Sequence, residues 1–587
     1  MTVEALTPSR SRVASWLARR PDYVWEPPRS MAVTAVVIAV LAYVLVAWNA
    51  RYPAIPLDEV VMVGNSRIIA GLPATWSLQD AGFMPGLAVL MAPAWWFTSD
   101  PQLVYQVGIA IASALGVAAI WPLSRIAKRT GLSDSASVVV ASAVVVAPAK
   151  LLVANYLLSE SLLLVFTAVT IVAAVRLAEH PTWTRAVLLG LSVGATVLAH
   201  GRGVAIAVGV GIWLLVRLRS LRWRGIVAGL LAFGASCLVY AFYVLVTAQV
   251  IADDSRVEDN LGAALGTTWD SVLAVVVGQT WYGTAGWLGT TTVGAFWILR
   301  RFRADALASV VAICFVAAFG LATFQLGPVE GVSRFDVWFY GRYNDHMWAI
   351  LAVIGIAVLV RLRWAIVSVL ALGVSLATSA GMVLITAPKI TNGSRWVELH
   401  VLGVAPWLSL DAWAEDRAQS WLLITGITVA LTAAVLAAAL WRGAVAPVLL
   451  IGWTAISLWH DVLGLDIRDG RQLSHYSVPG VYSYLEDDDH VGIDRSLGSL
   501  GNMLYFTSDG QPLDLVDIDD VPEGMQVVYS WKWETAPAEQ GARMLSTGET
   551  GTQAAWIYPG EVFDTLLAQG ALASAEEAQG WAAAKGN

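Results

Sequence analysis

Five charged residues stand out because each lies beside an apolar segment rather than on a polar surface. In chain order they are Asp58, Glu59, Glu160, Arg202 and Arg342. Ionisable groups at membrane depth are costly, and for that reason they are functional candidates. A carboxylate can take a proton from an attacking hydroxyl, and an arginine can hold a phosphate leaving group through paired hydrogen bonds. The set therefore suits transfer of a group from a phosphate to a hydroxyl.

Each of these residues also has a purely structural interpretation. Asp58 and Glu59 would belong to a polar loop, and Glu160 would be a helix N-terminal acid stabilised by the dipole. The two arginines would bind buried carbonyls or lipid headgroups. Lys150 would pair with Glu160 or a phosphate, or, more simply, snorkel to the interface. Three further residues are expected to make only local polar or packing contacts: His200, Asp345 and His346.

The composition predicts a membrane protein. Of the 587 residues, 57 % are hydrophobic and only 14 % are charged, with a mean hydropathy of +0.64. A soluble domain averages about 25 % charged residues. The two cysteines, Cys237 and Cys314, lie in apolar runs, which indicates neither a disulfide framework nor a thiol-ligated metal site.

A spanning helix needs about 20 mostly apolar residues, and about thirteen segments approach that length. They are 31–50, 103–124, 135–153, 159–177, 185–199, 203–217, 225–251, 285–300, 305–325, 346–360, 364–386, 419–441 and 443–460. The short pair 185–199 and 203–217 is separated by His200-Gly201-Arg202-Gly203 and is expected to be bent. The first segment is expected to remain as an anchor because it is too long for a signal peptide.

Positive charge sets the expected orientation. The tail 1–30 is rich in arginine, and basic clusters such as Arg125/Lys128/Arg129 recur after every second segment. Basic loops stay in the cytoplasm, so the N-terminus is expected on that side. The protein itself is expected in the cytoplasmic membrane. The loops expected on the outer side are 51–102, 252–284, 326–345 and 387–418. The charged residues selected above then gather at the outer face.

The tail 462–587, beyond the membrane domain 31–461, is expected to be an extracytoplasmic α/β domain. Strands are predicted near 490–494, 513–517, 525–531 and 553–558, and helices near 497–506 and 559–571. The sequence Gly498-Ser499-Leu500-Gly501 matches no phosphate-loop spacing. The run Glu486–Asp489 is typical of a solvated acidic turn, with cation binding as the alternative.

Four short motifs occur in a suggestive order. Leu57-Asp58-Glu59 precedes Ser66–Gly71, Phe83-Met84-Pro85 opens a surface helix, Leu158-Ser159-Glu160 opens the fourth segment, and Gly341-Arg342-Tyr343 precedes the tenth. In this order and sidedness the chain resembles the GT-C superfamily of lipid-carrier-dependent glycosyltransferases, which contains protein O-mannosyltransferases and the lipid A aminoarabinose transferase. The resemblance implies a GT-C-like helical membrane fold.

The resemblance also implies roles for individual residues. Asp58 would be the catalytic base, with Glu59 as its neighbour or substitute, and Glu160 would be a second acidic site residue. The donor phosphate would contact Arg342, Arg202 and Tyr343. Some members use paired aspartates for a metal where this chain has Asp-Glu, so a divalent cation remains open and no other cofactor is implied. The sequence around Arg202 also departs from the arginine-proline-glutamate-like sequence of many members.

The expected reaction is an inverting transfer of a sugar from a polyprenyl-phosphate donor to an acceptor hydroxyl at the outer membrane face. The acceptor would be a cell-envelope glycan, a lipid or a protein, and no nucleic-acid partner is expected. One alternative is a transporter or flippase of lipid-linked glycans, which would carry charges at mid-bilayer and internal repeats. The other is a non-catalytic membrane scaffold. The sequence leaves the sugar, the acceptor and the oligomeric state open.

Overall fold

The structure is a computed structural model that describes residues 25–54, 56–72, 83–247, 268–326, 334–361, 365–390, 396–409, 417–439, 445–476, 481, 485, 490–500, 513–545 and 553–574. The helices of the membrane region are, in chain order, α1 (Arg29–Ala47), α2 (Pro56–Ile69), α3 (Gly86–Met91), α4 (Pro101–Ala118), α5 (Ile120–Arg129), α6 (Asp134–Val145), α7 (Pro148–Leu151), α8 (Glu160–Glu179), α9 (Trp183–Ala199), α10 (Gly203–Val216), α11 (Leu218–Leu221), α12 (Trp223–Thr247), α13 (Trp269–Ala285), α14 (Thr290–Arg301), α15 (Ala306–Leu326), α16 (Asp345–Arg361), α17 (Ala365–Gly381), α18 (Ala405–Leu408), α19 (Arg417–Ala438) and α20 (Val445–Tyr476).

These helices make the protein a multi-pass helical membrane protein. Within the described ranges, 8 helices are long and apolar enough to cross a membrane, or up to 10 if each of two bent helix pairs is one span. Three shorter apolar helices accompany them. The membrane character predicted from composition is confirmed, whereas the number of thirteen spans stays a prediction.

The predicted third span is broken. The helices α6 and α7 meet at an angle of 71° around Ala147 and Pro148. Proline cannot donate the backbone hydrogen bond that would continue a helix, so the chain turns here. The bend directs the segment 148–155 into the protein, where it lines the site described below.

The later part of the outer loop predicted at 252–284 forms the helix α13, and most of the second half of this helix is buried. The span predicted at 285–300 begins later, at Thr290. Leu288 and Gly289 have φ angles of 48° and 73°, which turn the chain between the two helices. The segment after α13 is therefore a tight helix–turn–helix connection.

The helices α14 and α16 approach each other at backbone distance. A Cβ atom at Gly355 would overlap the carbonyl oxygen of Thr290, and one at Gly294 would overlap that of Leu351. Small residues allow this approach in membranes, where helix association depends on close packing rather than on the hydrophobic effect. This contact fixes the helix that follows Arg342.

The C-terminal region contains a five-stranded sheet of order β2-β1-β3-β5-β4. Its strands are β1 (His490–Asp494), β2 (Leu513–Val516), β3 (Met525–Trp531), β4 (Arg543–Met544) and β5 (Gln553–Ile557), with α21 (Ala536–Glu539) and α22 (Glu561–Ala568) beside them. The strand β1 runs parallel to β2 and β3, and β5 runs antiparallel to β3. The predicted small sheet region is thus confirmed.

The sheet packs on the membrane domain near the first loop. Val491 and Ile493 of β1 belong to the same hydrophobic cluster as Val60 and Val63 of α2. The helix α20 continues to Tyr476, past the expected domain boundary at 462, and the boundary itself stays a prediction. Residues 1–24, the acidic start of the loop 252–284, Glu486–Asp489 and Gly501–Thr507 lie outside the described residues.

Candidate active site

The residues selected for their chemistry lie at the ends of separate helices. Asp58 and Glu59 are in the first turn of α2, and Glu160 is the first residue of α8. Arg202 immediately precedes α10, and Arg342 lies in the short 3-10 turn Gly341–Tyr343 before α16. Helix ends on one side of a bundle therefore supply all of them.

Four of these side chains form one ion-pair network. Arg342 donates through Nη1 to Asp58 Oδ2 at 2.6 Å and through Nε to Glu160 Oε1. Arg202 donates through Nη2 to the same Glu160 oxygen at 2.7 Å, and its Nη1 donates to the carbonyl oxygen of Arg342. Glu160 thus bridges both arginines, and Arg342 bridges both carboxylates.

The two carboxylates differ in accessibility. The Asp58 side chain is 16 % exposed, whereas the Glu160 side chain is 4 % exposed and the Arg342 side chain 7 %. An incoming molecule can therefore reach Asp58 more easily than Glu160. This difference separates a candidate reactive group from a group that holds the arginines in place.

Glu59 faces a different part of the protein from its neighbour Asp58. It is fully buried, and its Oε2 accepts a hydrogen bond of 2.7 Å from the Ala54 amide. Its Oε1 accepts from Tyr105 Oη and from the Leu157 amide, both at 2.8 Å. Since 3.6 residues make a helical turn, adjacent side chains point about 100° apart. Glu59 therefore ties α2 to α4 and to the segment before α8.

A row of flat side chains continues from the network. The Arg202 guanidinium lies over the Tyr343 ring at 5.1 Å, and the rings of Tyr343 and Tyr340 are 4.5 Å apart. Tyr340 stacks on His400 at 4.2 Å. Burial lowers the pKa of His400, and its Nδ1 contacts Asp336 Oδ2 at 2.6 Å. Tyr343, the predicted phosphate contact, is the half-buried member of this row.

The bend before Pro148 adds a cation to the site. Lys150 is 4 % exposed and interacts electrostatically with Asp345 and Glu160. Because Lys150 is buried, the prediction that it snorkels to the interface is wrong. The alternative, that it pairs with Glu160 or a phosphate, stays a prediction. The Ala147-Pro148 pair is the signal in the sequence, because a proline interrupts the straight helix expected over 135–153.

Asp345 makes a polar contact within this buried region. Both its oxygens lie 3.0 Å from Tyr282 Oη, which donates to it and accepts from the Gly403 amide at 3.0 Å. Gly341 lies against the Tyr282 ring, where a Cβ atom would overlap the ring. The turn that carries Arg342 is therefore seated on Tyr282.

Some buried polar atoms of the site have no protein partner. Among the described residues, Glu160 Oε2 and both ring nitrogens of His346 make no hydrogen bond. His346 interacts electrostatically with Arg202, Lys150 and Glu160, so these atoms belong to one polar region. A buried polar atom without a partner costs about 1–3 kcal/mol, and a polar ligand or ordered water would satisfy it.

The resemblance leaves open whether a divalent cation binds at this site. The described part of the chain contains no group of three or more His, Cys, Asp and Glu side chains that could hold a metal ion. Arg342 lies between Asp58 and Glu160 in this structure. The divalent cation therefore stays an open expectation of the resemblance.

Sequence comparisons give no relative, and structural comparisons give several. No family model and no curated protein matches the chain. The crystal structure of ArnT from Cupriavidus metallidurans bound to undecaprenyl phosphate matches 91 % of this chain and 99 % of its own, with a TM-score of 0.56 and 14 % identity. The same protein in the apo state matches 90 % and 99 %, with a TM-score of 0.54 and 14 % identity.

A more distant match is the oligosaccharyltransferase AglB from Archaeoglobus fulgidus in complex with an inhibitory peptide and a dolichol-phosphate. It covers 90 % of this chain and 74 % of its own, with 13 % identity and a TM-score of 0.44.

The GT-C-like architecture that the motifs implied is confirmed at the level of the fold by the two ArnT structures. The chain therefore has the fold of the GT-C glycosyltransferases.

Proposed function

We propose that the protein is a membrane glycosyltransferase that moves a sugar from a polyprenyl-phosphate donor to an acceptor hydroxyl. The observation that carries the proposal is the convergence of Asp58 and Glu160 on Arg342 at one end of the helical bundle. The structure of ArnT, a protein of the same fold, was obtained with undecaprenyl phosphate bound. That likeness supports a lipid phosphate as the carrier.

The proposed step is an inverting displacement at the anomeric carbon. The acceptor oxygen forms a bond to that carbon while its proton passes to a carboxylate oxygen of Asp58. The bond between the anomeric carbon and the phosphate oxygen breaks, and the lipid phosphate leaves with the electron pair. Asp58 is the base in this scheme because it is the more accessible carboxylate of the network.

The cations of the site would receive the leaving phosphate. Arg342, Arg202 and Lys150 lie around Glu160, and charge-assisted hydrogen bonds from guanidinium groups are well suited to phosphate oxygens. Tyr343 lies beside Arg202 and would complete the phosphate contact that the resemblance implies. Glu160 would orient both arginines.

Glu59 has a supporting role in this proposal. Three hydrogen bonds from Ala54, Tyr105 and Leu157 already occupy its two oxygens. A carboxylate held in this way fixes the first turn of α2 and therefore the position of Asp58. We treat Glu59 as a positioning residue rather than as the base.

The reaction is proposed to occur at the outer face of the cytoplasmic membrane. The support is the alternation of basic and acidic loops in the sequence, which assigns the end of the bundle that carries Asp58 to the outside. The acceptor would then be a glycan, lipid or protein of the cell envelope. A lipid-linked donor suits that side because its carrier stays in the membrane.

The test uses the purified full-length protein with a synthetic polyprenyl-phosphate sugar. Release of polyprenyl phosphate is expected only when an acceptor is present. Asp58→Asn is expected to lower the rate by about 10²–10⁴-fold, the usual contribution of a general base. Asp270→Asn is the matched control because Asp270 is an exposed carboxylate that pairs with Lys389 away from the network.

Three results would reject the proposal. If the Asp58→Asn protein transfers sugar at the wild-type rate, Asp58 is not the general base. Release of phosphate without any acceptor would indicate a hydrolase. Movement of the intact donor across the bilayer without release would favour the transporter alternative.

A further inference from the structure

A second feature lies between α1 and α4. The helices α1 and α4 enclose a groove of about 860 Å³. Its walls are two stripes with helical spacing, from Val40 to Arg51 on one side and from Gln102 to Val117 on the other. Between Gln102 and Val117 the groove is about 22 Å long, at 1.5 Å per residue.

The groove is left open by small residues. Deep in the bundle, Tyr43 packs against Gly116 so closely that a Cβ atom there would overlap its ring. Above this contact, Ala110 and Ala114 of α4 are exposed in the groove. Small residues in membrane helices usually allow a neighbouring helix to approach. Here no described helix covers them, so the stripe faces open space that an extended chain can fill.

The two ends of the groove differ in polarity. The deep end is lined by apolar residues such as Val40, Ile109 and Val117, whereas Gln102, Gln106 and Tyr52 line the mouth. Arg51 is the one charged residue among the described residues of its lining, and it lies at the mouth. The groove therefore complements an amphipathic molecule with one hydrocarbon chain inside and an anionic headgroup at Arg51. Its length of about 22 Å exceeds one leaflet, about 15 Å, of the roughly 30 Å hydrocarbon core.

The mouth is connected to the base side of the candidate active site. Ala54, three residues after Arg51, donates its amide to Glu59, and Tyr105 of the groove-lining helix α4 donates to the same carboxylate. Glu59 neighbours Asp58 in α2. The phosphate contacts proposed above come instead from α7, the residue before α10 and the turn before α16. In an inverting displacement the nucleophile attacks one face of the anomeric carbon while the leaving group departs from the opposite face.

We propose that this groove holds the hydrocarbon chain of a lipid acceptor with an anionic headgroup and brings its hydroxyl to Asp58 from the membrane. The identification of the bound lipid as an acceptor rests on the proposed function, because the groove alone indicates only an anionic lipid. It narrows the acceptor from a glycan, lipid or protein to a lipid. The donor chain is assigned elsewhere, on the phosphate side.

The experiment measures lipid binding without requiring transfer. The full-length protein in nanodiscs is labelled with phosphatidylglycerol that carries a diazirine at the end of one acyl chain, and labelled positions are located by mass spectrometry. Labelling is expected to concentrate on the facing stripes of α1 and α4. Ala114→Trp, which fills the groove, is expected to lower that labelling about tenfold, equivalent to about 1.4 kcal/mol. Ala118→Trp is the matched control on an exposed position of α4 outside the groove lining.

Two further arms separate the sources of a lipid signal. Arg51→Glu, at an exposed position, is expected to lower labelling by the phosphatidylglycerol probe at least about fivefold and to leave a phosphatidylcholine probe unaffected. Excess undecaprenyl phosphate is expected not to displace the probe. Displacement would assign the groove to the donor chain and overturn the proposal.

Equal labelling of the wild type and Ala114→Trp would also overturn it, because the probe would then report only the surrounding lipid. Labelling is measured independently of catalysis. If the groove results hold while transfer is absent from the earlier assay, the proposed function fails and the lipid site remains.

Discussion

Asp58 and Arg342 are 284 positions apart in the chain, and Arg342 Nη1 donates to Asp58 Oδ2 at 2.6 Å. This contact joins the first-loop helix α2 to the turn before α16. Because Glu160 accepts from the same guanidinium, three distant parts of the chain depend on one side chain for their charge balance. The structure of the site and the stability of the fold are therefore linked at Arg342.

Arg342→Gln is expected to destabilise the protein by about 3–5 kcal/mol, because it removes the cation that pairs with Asp58 and one of the two arginines that pair with the buried Glu160. The double variant Arg342→Gln/Glu160→Gln is expected to lose less than the sum of the two single variants, since the uncompensated charge is then removed as well. Thermal unfolding of the purified proteins in detergent measures both. Simple additivity would show that the contact contributes no coupling energy.

Arg342→Lys is a separate test of the phosphate role. Lysine keeps the charge but cannot present the planar pair of donors that now contacts Asp58 and Glu160. We expect transfer to fall at least about tenfold with a smaller loss of stability than in Arg342→Gln. The measurement is the rate of polyprenyl phosphate release. Full activity with lysine would show that a point charge suffices.

Glu59→Gln and Tyr105→Phe distinguish a positioning residue from a base. Both remove hydrogen bonds to the buried Glu59 carboxylate, at a cost of about 1–3 kcal/mol each. If Glu59 positions α2, both variants are expected to lower transfer together with stability. Loss of transfer in Glu59→Gln with normal transfer in Tyr105→Phe would instead identify Glu59 as the base. Tyr240→Phe, at an exposed tyrosine, is the matched control.

Gly355→Ala is expected to destabilise the contact between α14 and α16 by at least about 1–3 kcal/mol, because the added methyl group overlaps the Thr290 carbonyl. Gly373→Ala is the control, since a Cβ atom at that helical position meets nothing within 4 Å. There a gain of about 0.5–1 kcal/mol is expected from the helix propensity of alanine. A lower melting temperature for Gly355→Ala and a higher one for Gly373→Ala, each relative to the wild type, would confirm the packing.

Asp494→Ala is expected to loosen the C-terminal sheet. The buried Asp494 carboxylate accepts from Ser530 Oγ at 2.5 Å and from the Ser496 amide at 2.9 Å. Loss of these bonds, at about 1–3 kcal/mol, raises the population of locally open states. Limited proteolysis of the full-length protein should therefore cleave the tail faster than in Asp514→Ala, at an exposed aspartate of β2. Equal cleavage rates would contradict this assignment.

The sequence could indicate which residues gather at the site, but it could not distinguish the roles of the two adjacent carboxylates. Asp58 and Glu59 are adjacent, so charge and position treat them alike. Their difference arises from helix geometry, because one faces Arg342 and the other faces Tyr105 and Leu157. The orientation of a two-residue motif depends on contacts with α4 and α16 that no local pattern contains.

The position of Lys150 shows a second limit. Hydropathy averages over a window and therefore represents 135–153 as one straight span, whereas the bend of 71° redirects its last turns. The C-terminal strands were easier to predict. Buried strands such as β3 and β5 are short runs rich in apolar residues between turns, and the predicted and observed bounds agree within a residue. The two-residue strand β4 is too short to produce such a pattern.

The seating of Gly341 on the Tyr282 ring affects how sequence variation in this protein should be interpreted. Every side chain larger than hydrogen would displace the turn that carries Arg342, so saturation mutagenesis should reject replacements at Gly341 as strongly as at Asp58. That intolerance would report a lack of space under the backbone rather than any contact with a substrate. A survey of essential positions would thus rank the two residues equally, and only variants that stay folded without activity would separate them.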